Sequence, residues 1–91
     1  MRKKTKENLY IPDAPLNLKD RGMQTERLQM CLDNILKYKG KNKLMSLEPA
    51  YFGSNTAEAL KVFQDMQGIR ATGNYDALTR QKLREVIENA D

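Results

Sequence analysis

The sequence predicts an all-α fold, a compact three-helix bundle-like domain that follows a flexible basic N-terminal arm. Two observations support this prediction. Apolar residues recur at helical spacing in three stretches, at about residues 24–38, 55–67 and 77–89. Glycines that suit a left-handed helix cap stand beyond the first two stretches, at Gly40 and Gly68. We therefore expect helices joined by turns, with short antiparallel pairing between residues 50–52 and 71–75 as an alternative that we do not favour.

A repeat in the second half of the chain favours the same fold. At a separation of 23 residues, Tyr51-Phe52-Gly53 stands opposite Asn74-Tyr75-Asp76, and Thr56 stands opposite Thr79. Leu60 and Leu83 keep the same register. A turn and a helix that match in this way indicate one supersecondary unit used twice.

Composition limits the possible function classes. With 91 residues the chain has room for one small domain, and its net charge of +4 is compatible with an anionic polymer partner. The chain contains no histidine, which removes the usual general base and the usual zinc ligand. Its single cysteine, Cys31, excludes an internal disulfide. We expect no catalytic residues, no metal and no cofactor, because the carboxylates are scattered and no glycine-rich phosphate loop is present.

The N-terminal residues 1–21 are predicted to be an arm or linker, and residues 22–91 the helical domain. Basic residues at Arg2, Lys3, Lys4 and Lys6 precede two prolines, and such a segment cannot fold alone. We expect residues 1–8 to be disordered. The basic residues fit a solvated terminus, with polyanion contact as the alternative, while nearby leucines indicate that part of the arm lies against the helices. No apolar run resembles a signal peptide or approaches the roughly 18 residues of a membrane span.

The first predicted helix, residues 24–38, carries an apolar stripe that includes Leu28 and Cys31. Cys31 lies within this stripe, so we interpret it as a small buried hydrophobe rather than a reactive thiol. Gly40 is predicted to end the helix. The loop that follows, residues 39–50, is rich in lysine from Lys37 to Lys43, which indicates either a solvated loop or a contact with phosphate.

The second helix is predicted over about residues 55–67, with Phe63 at the centre of the core. Asn55 and Glu58 resemble a capping box, and Ser54 is a competing cap. The third helix, about residues 77–89, follows a turn at Gly73-Asn74 and is predicted to be capped by Asp76.

A set of residues recurs in the order and spacing of a known family: Leu28-Gln29, Phe52-Gly53, Thr56, Ala59-Leu60, Phe63-Gln64, Gly68-Ile69, Gly73, Thr79 and Leu83. In this respect residues 22–87 resemble the peptidoglycan-binding-like domains of bacterial and phage cell-wall hydrolases. The resemblance implies a three-helix fold and noncatalytic binding of peptidoglycan, through its glycan or stem peptide. It also implies targeting of an attached or partner hydrolase to the wall, where the protein would act, without contact with a membrane.

Three turn positions depart from the family pattern. Pro49-Ala50 stands where Asp-Gly is expected, Thr72 replaces an Asp, and Asp76 replaces a Gly. Because a ligand would be met at these turns, one alternative is a protein-interaction module that kept the fold and lost wall binding. The other alternative is a small basic three-helix nucleic-acid-binding protein. We place it second because the start of the third helix offers poor major-groove readers.

Ligand-binding residues are predicted at the two turns. Tyr51 and Tyr75 are candidates for stacking on sugar rings, and Asn55, Arg70 and Asn74 are candidates for donating to hydroxyls. Helix starts at the same turns would favour the carboxylates of muropeptides. The alternative for both tyrosines is that their rings only shield the small core.

Overall fold

A computed structural model gives the structure of the protein and describes residues 11–38 and 50–89. Within these ranges the chain forms helices α1 (Met23–Tyr38), α2 (Ser54–Met66) and α3 (Ala77–Glu88). Each helix begins and ends within one residue of the predicted bounds. The described residues contain no strands, and their extended segments pair only in two isolated β-bridges. The predicted all-α three-helix fold is confirmed.

The core lies where the apolar stripes of the three helices meet. Its fully buried side chains include Leu28 and Leu32 from α1, Leu60 and Phe63 from α2, and Leu83 from α3. Full burial of each contributes about 1.5–3 kcal/mol. The predictions that Phe63 and Cys31 are buried are confirmed.

Helix α2 ends as its sequence predicts. Gly68 adopts a positive φ of 73°, which an L side chain disfavours and a glycine tolerates. The N–H of Ile69 donates to the carbonyl of Gln64, and the N–H of Gly68 donates to that of Asp65, both at 3.1 Å. This pair of bonds is a Schellman motif, which satisfies two carbonyls that the helix leaves open.

The two predicted helix starts differ in outcome. Asp76 caps α3 through its Oδ1, which accepts from the N–H of Thr79 at 2.9 Å, and this prediction is confirmed. The cap predicted for α2 at Asn55 or Ser54 is wrong. Helix α2 begins one residue earlier than predicted, with Gly53 at the N-cap and no side-chain cap. Ser54 and Asn55 therefore lie inside the first turn, where neither serves as the cap.

The repeat predicted at 23 residues is confirmed by a hydrogen-bond pattern that occurs twice. Gln29 accepts from the N–H of Ala50 at 2.8 Å and donates to Tyr51 O and Thr56 Oγ1 at 2.9 and 3.0 Å. Gln64 accepts from the N–H of Gly73 and donates to Asn74 O and Thr79 Oγ1, all at 2.9 Å.

Each partner of Gln64 thus follows the matching partner of Gln29 by 23 residues. Both turns are held by a buried amide from the preceding helix, because their backbone groups need partners once they are covered.

Residues 11–21, here called the N-terminal strap, pack against both halves of the repeat. Leu16 exchanges two backbone hydrogen bonds of 2.9 Å with Tyr75. Further along, the N–H of Lys19 donates to the carbonyl of Phe52, and the N–H of Phe52 donates to that of Asp20, both at 2.8 Å. Leu16 is buried, so this part of the predicted arm belongs to the packed structure.

Other sequence predictions lie outside the described residues. They concern disorder of residues 1–8, the basic side chains of Arg2 to Lys6, the cap at Gly40 and the lysine-rich loop. Within residues 11–38 and 50–89, no helix combines the length and apolar character that a membrane crossing requires.

Candidate functional site

A groove of about 300 Å³ opens where the N-terminal strap passes the start of α2. Its lining residues are Leu18, Lys19, Tyr51, Gly53, Ser54, Asn55 and Thr56. The strap supplies one wall, with an exposed leucine and an exposed lysine. The first turn of α2 supplies the other wall, with hydroxyl, amide and backbone groups. The groove therefore offers an apolar surface beside a dense set of hydrogen-bonding groups.

Tyr51 is the aromatic residue of this groove, and two contacts fix its place. Its carbonyl accepts from Gln29 Nε2 at 2.9 Å, which ties the backbone to α1. The guanidinium of Arg21 lies 4.5 Å from the centre of its ring, in a cation–π contact. The ring is half-buried and borders the groove, so Tyr51 presents a held aromatic surface.

The start of α2 gives the groove its electrostatic character. Gly53 is an extended N-cap with φ of −99°, no side chain caps the helix, and its first turn contains no acidic residue. The partial positive charge of the first turn is therefore not offset by a carboxylate of the helix itself. At the equivalent place in the second half, the carboxylate of Asp76 occupies the helix start. Hydrogen bonding to Thr79 holds the pKa of Asp76 below its usual value.

The structure brings together two of the five predicted ligand-binding residues. Tyr51 and Asn55 both line the groove. Arg70 and Asn74 are exposed on the turn between α2 and α3, and neither is among the lining residues.

Tyr75 occupies a different environment from the one predicted. Its side chain is fully buried, and its hydroxyl donates to the carbonyl of Pro12 at 2.8 Å. Burial raises its pKa. The ring has no exposed face for a sugar, so the contacts proposed below omit it.

The register of the repeat explains why the two tyrosines differ. At a separation of 23 residues, Tyr75 corresponds to Phe52, which is also fully buried, and Tyr51 corresponds to the exposed Asn74. The alignment of the two halves therefore contained the signal that Tyr75 belongs to the core.

The residues of the groove and its support that the sequence did not indicate include Leu18, Lys19 and Gln29. Leu18 and Lys19 lie in the segment assigned to the arm, and Gln29 was noted only as part of the family pattern. Gln64 lies 35 positions after Gln29, so the 23-residue register does not align the two glutamines and gave no signal for Gln29. For Leu18 and Lys19 the sequence offers no signal beyond the apolar character of the arm.

Two kinds of reactive centre, a reactive thiol and a metal cluster, have no support among the described residues. Burial raises the pKa of the Cys31 thiol to about 12, so the thiolate is scarce at neutral pH. No three cysteine or carboxylate side chains meet as metal ligands in the part of the chain that the structure describes. The lining of the groove itself offers contacts through shape, hydrogen bonds and charge.

These features define a small helical binding domain whose groove lies at a helix start. A family model described as "Putative peptidoglycan binding domain" matches residues 21–83, which is more than half of the chain, and the chain belongs to that family. The match supports peptidoglycan binding in general. Searches of the curated proteins and of the solved structures gave no significant match.

Proposed function

We propose that this chain is a noncatalytic domain that binds peptidoglycan in the groove beside Tyr51 and targets an attached or partner hydrolase to the cell wall. The observation that supports this most directly is the position of the groove. Most of its lining lies within residues 21–83, the part of the chain that matches the family. The residues there combine an aromatic ring with amide and hydroxyl groups, which suits a glycan that carries peptides.

The proposed contacts follow from the chemistry of the ligand. A pyranose ring has an apolar face that packs on an aromatic side chain, and Tyr51 with Leu18 offers such a surface. Asn55 and Ser54 stand beside it, where they would contact sugar hydroxyls and N-acetyl groups. Carboxylates of the stem peptide would be favoured near the start of α2.

We expect weak binding to a single muropeptide, with a Kd on the order of 0.1–1 mM, because the groove is shallow. Intact wall presents many copies of the ligand, so retention on sacculi exceeds what one site provides.

The targeting role rests on what the domain provides to an enzyme. A binding domain that holds a hydrolase near its polymer raises the local concentration of substrate without any new catalytic group. A hydrolase tested with and without this domain should act faster on sacculi when the domain is attached, and equally fast on soluble muropeptide.

The nucleic-acid alternative is not favoured by the basic residues of α3. Arg80 Nε donates to the carbonyl of Pro12 at 3.1 Å. Lys82 and Arg84 lie 3.8 and 4.0 Å from carboxylates of Glu85 and Glu88. Acidic partners beside two of these cations weaken any attraction of this face for phosphate.

Binding is tested with purified sacculi and with chemical-shift mapping of soluble muropeptide. Tyr51→Ala and Asn55→Ala should each reduce retention on sacculi. Leu78→Ala is a matched control, because Leu78 is 49% exposed on α3 and does not line the groove. Sheared DNA should not compete with the wild-type protein.

Two outcomes would contradict the proposed function. One is a folded wild-type protein that sacculi do not retain, which would favour the protein-interaction alternative. The other is a set of muropeptide shifts that avoids the groove and vanishes with added salt, which would indicate charge attraction alone.

A further inference from the structure

We propose that Lys19, supplied by the N-terminal strap, makes the groove select carboxylate-bearing stem peptides of the wall over neutral glycan. This inference rests on the proposed function and assigns its specificity to one residue. Lys19 lies outside residues 21–83, so the family match alone does not account for it.

The turn that carries Lys19 is fixed against the body of the domain. The N–H of Asp20 donates to the carbonyl of Asn17 at 3.0 Å, which closes a four-residue turn with Lys19 at its third position. The N–H of Lys19 donates to Phe52 O at 2.8 Å, just before the start of α2. The strap is also paired on either side of this turn, at Leu16 and Arg21. The Lys19 side chain therefore starts from a defined place on the wall of the groove.

The backbone at Lys19 does not favour a lysine. Its φ is +79°, a left-handed conformation that suits glycine or asparagine at the third position of a turn. Any long side chain is strained there. The turn itself would form more easily without this lysine, so the contribution of Lys19 lies in its side chain rather than in the fold.

The charges around the groove favour an anion. Among the seven residues that line the groove, Lys19 carries a charge, and none of the other six is acidic or basic. The neighbouring carboxylate of Asp20 accepts from the N–H of Asn17 at 2.7 Å within the turn. The next acidic residue of α2, Glu58, lies 3.7 Å from Lys61 in an ion pair. The lysine and the uncapped start of α2 thus present charge of the same sign to one groove.

The ligand that fits this arrangement has an apolar ring and a nearby carboxylate. In peptidoglycan the N-acetylated glycan is neutral, and the formal negative charges are carboxylates of the stem peptide. A muropeptide that lays its sugar on Tyr51 would bring such a carboxylate within reach of Lys19. A neutral glycan would gain only the contacts with the ring and the amides.

The test uses the full 91-residue chain and three probes: a disaccharide-tripeptide muropeptide with free carboxylates, the same muropeptide with its carboxylates amidated, and a neutral N-acetylglucosamine tetramer. The variant is Lys19→Asn, which removes the charge and suits the left-handed backbone. Lys82→Gln is the control, since it removes one positive charge from α3, away from the groove lining. Titrations followed by NMR give the Kd values, and thermal unfolding gives the Tm.

We expect the wild-type protein and Lys82→Gln to bind the free-carboxylate muropeptide about two- to fivefold more tightly than the amidated form, as for an exposed charge pair. Lys19→Asn should lose most of this preference and keep only the part that the start of α2 supplies. It should bind the neutral tetramer as the wild type does, with a Tm that is unchanged or higher. The preference should shrink with added salt.

A preference of the same size in Lys19→Asn as in the wild type would overturn this inference and leave the proposed function intact. Tighter binding of a polyglycerol phosphate than of the muropeptide would also overturn it, because the anion would then be phosphate. A wild-type protein that binds none of the three probes would instead refute the proposed function.

Discussion

Replacing Gln64 by leucine removes the amide that holds the second turn while nearly preserving side-chain volume. Gln64 is 1% exposed. In the wild type the amide of Gln64 bonds to the N–H of Gly73, the carbonyl of Asn74 and the hydroxyl of Thr79, each at 2.9 Å. Leucine makes none of these three hydrogen bonds. An unsatisfied buried group costs about 1–3 kcal/mol.

The three groups do not all stay without partners in the variant. Asn74 is exposed, so water can reach its carbonyl, and a hydroxyl can rotate toward another acceptor. Gly73 is buried, so water does not reach its N–H, and a backbone N–H cannot rotate toward another acceptor. The expected loss in the free energy of unfolding is therefore about 2–4 kcal/mol rather than the sum of three full penalties.

Urea unfolding followed by circular dichroism measures this loss. With a slope of about 1–2 kcal/mol per molar urea, the midpoint should fall by roughly 1–4 M. Gln81→Leu is the matched control, because Gln81 is exposed and its amide bonds only to Glu85 at 3.3 Å. The control should stay within about 0.5 kcal/mol of the wild type. Equal midpoints for Gln64→Leu and Gln81→Leu would refute the view that a buried amide holds the turn.

Three further predictions concern single side chains. Phe63→Ala should lower the free energy of unfolding by about 3–5 kcal/mol in the same urea assay, because a fully buried ring leaves a cavity. Asp76→Ala should lower it by about 1 kcal/mol through loss of the α3 cap. Folding lowers the pKa of Asp76, so its contribution to the free energy of unfolding is complete above the usual Asp pKa. That contribution disappears as the pH falls through the pKa of Asp76 in the folded protein. Asp76→Asn should remove this pH dependence. Cys31 should resist a thiol reagent in the folded protein and react on unfolding, because burial raises its pKa to about 12.

Each of these has a clear contrary result. A Phe63→Ala loss below about 1 kcal/mol would mean that the ring is not packed in the core. A stability of Asp76→Asn that varies with pH as in the wild type would assign the acid dependence to other carboxylates. Rapid labelling of Cys31 under conditions where circular dichroism shows full helicity would show that α1 exposes its apolar stripe.

The helices were predictable because each carries a local signal. The apolar spacing around Leu28 and Phe63 marks the buried faces, and Gly68 and Asp76 mark helix ends through properties of their own backbone or side chain. The cap of α2 was missed because Gly53 makes no side-chain bond, and Asn55 offered a stronger pattern two residues too late.

The candidate site was less predictable, because it depends on contacts between distant segments. Nothing local to Leu18 or Lys19 indicates that they line a groove beside Tyr51. The burial of Tyr75 depends on Pro12 and Leu16, which the arm contributes. The alternative pairing of residues 50–52 with 71–75 is replaced among the described residues by two bridges to the strap, Leu16 to Tyr75 and Arg21 to Tyr51.

The N-terminal strap also has a consequence for the order of folding. The bonds from Tyr75 and Arg80 to Pro12 join residues 63 and 68 positions apart, whereas the bonds of Gln64 with Gly73 and Asn74 in the second turn span 9 and 10. Closing a loop of that length carries roughly 1.5 kcal/mol more entropy loss than closing one of about ten residues. The helices and their turns should therefore assemble first, and the strap should dock after the rate-limiting step. Substitutions in the strap would then speed unfolding while leaving the folding rate almost unchanged.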